Sequence, residues 1–227
     1  MRPAMRTLHH HWLSAPSRAV RFALAEKNLP FDPLLEKPWE RREEFLVLNP
    51  SGDVPVLVDE DGTVVAGASV ILEYLDERYP TADPLYPGDV VQRAEVRRLV
   101  CWFDAKFGLE VTENLVGEKA WKRLSGSGYP HPQSIRAGLA NIHYHLDYIA
   151  WLADRRSWLA GDRISAADIM AAAHLSTVDY MGDVPWDEHG EAKVWYARIK
   201  SRPSFRAILA DTVPGISPPP HYADLDF

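Results

Sequence analysis

Residues 80–89, PTADPLYPGD, divide this chain into two patterns that different layers of a fold must hold. Such a Pro-, Gly- and Asp-rich stretch cannot continue a helix or a strand. Before it, strand and helix signals alternate. MRTLHHHWL reads as a first strand, and APSRAVRFALAEKNL as an amphipathic helix with Ala19, Val20, Ala23 and Leu24 on one face. LPFDPLLEK has the proline spacing of an edge strand. PSGDVPVLVDEDGTVVAGA reads as two short strands joined at Asp61-Gly62, and SVILEYLDERY as a helix closed by Pro80. The predicted order is βαβ, then ββα.

After residue 89 every periodic segment is helical. DVVQRAEVRRLVCWFDAKFGLEVTENLVGEKAWKRL is one long helix, with Gly108 as the place for a bend. QSIRAGLANIHYHLDYIAWLADR and SAADIMAAAHLSTVDYM follow, then shorter helices at AKVWYARIK and SFRAILA. VPGISPPPHYADLDF cannot be helical through its prolines. The expected organisation is an α/β domain over 1–80, a linker at 81–89, an all-helical domain over 90–211 and a Pro-rich, acidic and aromatic tail over 212–227.

A hydrophobic share of 46% with 25% charged residues is that of a soluble globular protein. The net charge of −7 argues against nucleic acid or an anionic membrane surface as partner, since both select clustered positive charge. The single cysteine, Cys101, cannot form an internal disulfide, and its apolar neighbours predict a small core filler. No apolar run approaches the ~20 residues of a membrane span, and none has the form of a signal peptide. The expected location is the cytoplasm.

Several residues are placed where chemistry can occur. Ser14 stands between the first strand and first helix, as an N-cap or as a hydrogen-bond donor that stabilises a bound thiolate. Val54-Pro55 precedes an apolar strand, either as an edge proline or as a cis pair that presents backbone groups to an extended peptide. Ser165 and Asp168 have capping-box spacing, worth about 1 kcal/mol to the following helix. His9, His10 and His11 alternate faces on a strand, and His143 and His145 do not share a helical face, so no metal site is expected. Trp39, among the charges of EKPWERREEF, is a partner anchor, or packs against the neighbouring domain or a dimer mate. The end of the tail, His221, Tyr222, Asp224, Leu225, Asp226 and Phe227, can dock extended on a partner or fold back as a strap.

Taken in order, SAPSRAVRFALAEKNLPFD, FLVLNPSGDVPVLV, ILEYLDERYP and WLAGDRISAADI resemble the glutathione S-transferase superfamily over nearly the whole chain. The resemblance implies a thioredoxin-like N-terminal domain, an all-α C-terminal domain and usually a homodimer. It puts Ser14 at the position of the catalytic residue, and Val54-Pro55 at the cis-proline pair that binds the cysteinyl backbone of glutathione. The family's third glutathione element is Glu-Ser, in a pattern like E-S-x-A-I-x-x-Y-L. Counting back from Tyr74-Leu75, Gly67 falls on the Glu and Ala68 on the Ser, with Ser69 one residue late. Losing the serine's bond to a carboxylate, roughly 1.5–3 kcal/mol, weakens binding about tenfold to a hundredfold.

Ser14, Val54, Pro55, Gly67, Ala68 and Ser69 therefore read as a vestigial glutathione pocket, with no cofactor expected. A closer resemblance is to the FtsZ-binding, glutathione-transferase-like division proteins of bacteria, carried by Gly67-Ala68, EKPWERREEF and PPPHYADLDF. It implies a non-catalytic homodimer at the division site that binds FtsZ filaments and curves or bundles them. The alternative is a glutathione-dependent transferase or isomerase using Ser14.

Overall fold

The computed structural model describes residues 5–225. Four short strands, β1 (Arg6–His10), β2 (Phe31–Leu35), β3 (Val56–Val58) and β4 (Val64–Ala66), form one mixed sheet in the order β2-β1-β3-β4. β1 and β2 run parallel because helix α1 (Ala15–Glu26) crosses between them. β3 pairs antiparallel with β1, Leu8 opposite Leu57, and forms a hairpin with β4. That hairpin turns where Asp61-Gly62 predicted it, with Gly62 at φ 85° and the Asp59 N–H donating to Thr63 O at 2.8 Å. β2 is an edge strand, as Pro33 requires. A short helix, α2 (Glu43–Leu48), precedes β3, and α3 (Ala68–Arg78) follows β4.

The expected linker is anchored rather than loose. The N–H groups of Leu85 and Tyr86 donate to the two oxygens of Asp76 on α3, at 2.7 and 3.1 Å, and both side chains are buried. Helix α4 (Val90–Cys101) starts on a capping box, with Asp89 accepting from Val91 and Gln92 N–H groups. It runs on through a π-helical stretch, Trp102–Trp121, into α5 (Lys122–Ser125). The helix does not break at Gly108. Instead that glycine stands against His174, where a Cβ would meet His174 Cε1 at 3.4 Å. Cys101 is exposed, which corrects the expectation of a core filler: its flanking Val100 and Phe103 take the inward face.

The long helix packs against α6 (Pro132–Arg155) and α7 (Ala166–Tyr180). Every residue of α7 is buried, so it is the axis of the helical part. α8 (Gly190–Lys200) and α9 (Arg206–Leu209) close it. At the start of α7, the fully buried carboxylate of Asp168 accepts from Ser165 N, Ser165 Oγ, Leu159 N and Trp195 Nε1, all at 2.9–3.1 Å. Burial pushes this carboxyl above its ordinary value, against the pull of those donors. The cap thus also holds the loop before α7 and a core tryptophan.

Removing the carboxylate strands several buried donors at once, at about 1–3 kcal/mol apiece before relaxation. Asp168→Ala is therefore expected to lower the unfolding free energy by about 2–4 kcal/mol, and Ser165→Ala by about 1 kcal/mol. Denaturant unfolding of the two variants checks the ranking.

Candidate functional site

Residues 11–14 carry the chain from β1 into α1. Ser14 is the N-cap of α1, with φ −82° and ψ 114°, and its Oγ accepts the Ser17 N–H at 3.2 Å. A hydroxyl that accepts one bond keeps its own hydrogen to donate, so capping and donation to a ligand are compatible. Ser14 is largely buried, in the wall of a cleft of about 480 Å³ between the sheet side and the helical side. Val54 and Pro38 line the same cleft, and Asp104, Thr112 and His174 face them from the helices.

The Val54–Pro55 bond is cis, and Pro55 O accepts the Gly67 N–H at 3.1 Å, tying β3 to the start of α3. Gly67 is the N-cap of α3, at φ 88° and ψ 133°, with no side-chain cap; Ala68 is the first helical residue and is buried. Ser69 follows it, half-buried. Nothing lies within 4 Å of where a Gly67 Cβ would stand. Ser14 and Val54 thus share the cleft, whereas Gly67, Ala68 and Ser69 are not among its walls.

The histidines serve separate environments. His9 Nδ1 lies 3.7 Å from Glu36; His10 is fully buried edge-on to Trp12; His11 Nδ1 accepts the Leu13 N–H at 3.2 Å. Burial, first of all, pushes His10 down to about 3 and His11 to about 4, so both rings are neutral at neutral pH. His143 Nδ1 meets His189 Nε2 at 2.9 Å, while His145 bonds Trp102 and Glu110 on the long helix, so the two do face different ways. Among the described residues no group of three His, Cys, Asp or Glu gathers to hold a metal ion, and no helix is long and apolar enough to cross a membrane.

Trp39 is half-buried in a single turn of 3₁₀ helix, Pro38–Glu40, edge-on to Trp121 at 5.6 Å and to His11 at 5.5 Å. Its indole joins the sheet side to the helical side and keeps part of its surface outward. The tail lies on its own helical part. Lys200 Nζ donates to His221 O at 3.0 Å, and His221 Nε2 meets Asp179 Oδ1 at 3.1 Å. Tyr222 is fully enclosed, its hydroxyl donating to Ile208 O at 3.3 Å, so its side chain anchors the strap in the core and offers no contact surface. Asp224 is exposed, and Leu225 packs on the core. Asp226 and Phe227 lie outside the described residues.

The sequence reading did not find Asp104, Thr112 and His174, which helix packing alone brings beside Ser14. Their spacing, 8 residues and then 62, matches no motif.

Known proteins give this geometry a context. The glutathione S-transferase N-terminal-domain model matches residues 13–78, and the C-terminal-domain model residues 145–203. The chain is 50% identical to FtsZ-localized protein A of Caulobacter vibrioides over 98% of both chains. It superposes on the crystal structure of a glutathione S-transferase from Rhodospirillum rubrum with a TM-score of 0.96 at 57% identity, covering 98% of this chain and 100% of that one. FzlA from C. crescentus matches with a TM-score of 0.94 at 50% identity and the same coverage.

The open space beside Gly67 makes a clean test of its backbone. A methyl there meets no atom, so Gly67→Ala costs only the strain of holding an L-residue at φ 88°. The expected loss is about 1–3 kcal/mol of stability, read by denaturant unfolding; an unchanged midpoint would mean the α3 start relaxes freely.

Proposed function

This chain belongs to the glutathione S-transferase family, and we propose that it uses the fold as a non-catalytic scaffold on FtsZ filaments. One observation carries the reading: α3 starts on Gly67-Ala68, with no side-chain acceptor at its cap. A helix N-terminus attracts a carboxylate, but that dipole alone contributes about 0.3–1 kcal/mol. Without side chains to hold the γ-glutamyl end, glutathione binds weakly or not at all. The similarity to FtsZ-localized protein A and to FzlA supports the choice of partner.

In this reading filament binding falls to outward-facing surfaces. Trp39 keeps part of its indole outward; His221, Asp224 and Leu225 flank the anchored Tyr222, and Asp226 and Phe227 complete the proposed contact set. A homodimer presents each surface twice, and two-site attachment is what bundling or curving a filament requires. In this reading the protein acts in the cytoplasm at the division site. The second reading is a glutathione-dependent transferase or isomerase. Ser14 in the cleft wall beside Val54 favours it, as does the Rhodospirillum rubrum structure's name.

Sedimentation with GTP-assembled FtsZ tests the proposal. The purified chain is expected to pellet with the polymer. Trp39→Ala and Asp226→Lys should each weaken pelleting at least about tenfold, as removal of an interface anchor does. Ser14→Ala should leave it unchanged. Deleting the whole tail is a poorer test, because it takes Tyr222 out of the core. Absence from the pellet at low salt would overturn the filament reading.

A further inference from the structure

His174 poses a problem that the fold alone does not solve. It is 98% buried on α7, and its Nδ1 is 2.9 Å from Thr112 Oγ1. Its Nε2 has no hydrogen-bond partner; Asp104 Oδ1 is 3.7 Å away, beyond bonding distance. A buried ring nitrogen left unpaired costs free energy and calls for an explanation. Both groups line the cleft described above. Gly108 of the long helix stands against the imidazole, where a Cβ would be in contact with His174 Cε1 at 3.4 Å.

The charge of the cleft has one sign. Asp53, Asp104 and Glu113 line it, and among the described residues no lysine or arginine does. In the tautomer whose Nδ1–H donates to Thr112, His174 Nε2 presents a lone pair beside the Asp104 carboxylate. Two acceptors 3.7 Å apart can both receive N–H bonds from one ammonium nitrogen seated between them. The same cleft has apolar lining that includes Leu13, Pro16 and Trp121. The volume suits a small molecule. Glutathione, which carries two carboxylates, meets three more here.

We infer that this cleft binds a small organic cation: a primary amine on a flat apolar body, its ammonium bridging His174 Nε2 and Asp104. The inference is independent of the filament reading, because the cleft can be occupied whether or not the outer surfaces hold FtsZ.

Calorimetric titration of the full chain with tryptamine tests it, beside indole-3-acetate, which keeps the indole ring and reverses the charge. Tryptamine is expected to bind saturably at one site per chain, and the acid to give no saturable heat. Asp104→Asn, which keeps the side-chain shape and lies partly in solvent, should weaken tryptamine about ten- to hundredfold, as loss of a charged hydrogen bond does. Its unfolding midpoint should stay at the wild-type value, separating binding from folding. Binding should also shift the His174 ring resonances in a ¹⁵N-histidine-labelled sample. Equal binding of amine and acid, tryptamine affinity unmoved in Asp104→Asn, or no saturable binding of tryptamine, phenethylamine or benzylamine would each overturn the inference.

Discussion

A guanidinium with no exposed surface cannot sit in a protein interior without partners, and those of Arg18 come from both halves of the chain. Its Nε donates to Trp12 O at 2.8 Å, just before α1, and its Nη1 to Ser176 Oγ at 2.9 Å on α7. The rings of Tyr180 and Tyr222 lie 5.5 and 5.9 Å away. Arg21, one turn along α1, makes a bidentate pair with Asp211 at 2.6 and 2.8 Å. Buried charges held this way penalise any arrangement that separates the partners, by about 3–5 kcal/mol when one is lost. The joint between α1 and α7 is therefore fixed. Because Ser14 caps α1 and His174 lies on α7, the same joint sets the width of the cleft.

On that rigid frame, the proposed function rests on local chemistry. The cis Val54–Pro55 bond and the Ser14 cap lie within residues 13–78, the stretch that the family's N-terminal-domain model matches. Two local features bear on the proposal: α3 begins on glycine and alanine, and among the described residues the cleft is lined by carboxylates without a lysine or arginine. Both features disfavour an anionic peptide, and they do so independently. Fold similarity says nothing of such features, which is why function has to be argued from the site.

Much of the fold was legible because local signals agreed with one another. The Asp61-Gly62 turn, Pro33 on an edge strand, and Ser165 three residues before Asp168 each encode a backbone requirement within a few residues. The register that placed Gly67 and Ala68 at the start of α3 is of the same kind. What stayed hidden depends on distant contacts. Trp39 meets Trp121, residues far apart in the chain, so its polar neighbours said nothing about its packing. Cys101 looked apolar from its neighbours, yet helical phase turns it outward. Tyr222 read as part of a surface tail, but one aromatic after stiff prolines fills the core between Tyr180 and Ile208. Nor does any spacing announce that Asp104 and His174 face one another across the helical packing.

The central claim is that the start of α3 no longer holds glutathione. Calorimetric titration of the wild-type chain with reduced glutathione addresses it directly. The account predicts a dissociation constant weaker than about 1 mM, or no saturable heat, as expected when only a helix terminus and a backbone turn remain to bind the ligand. Saturable binding tighter than about 10 μM, abolished in Ser14→Ala, would contradict it and make the chain a working glutathione enzyme.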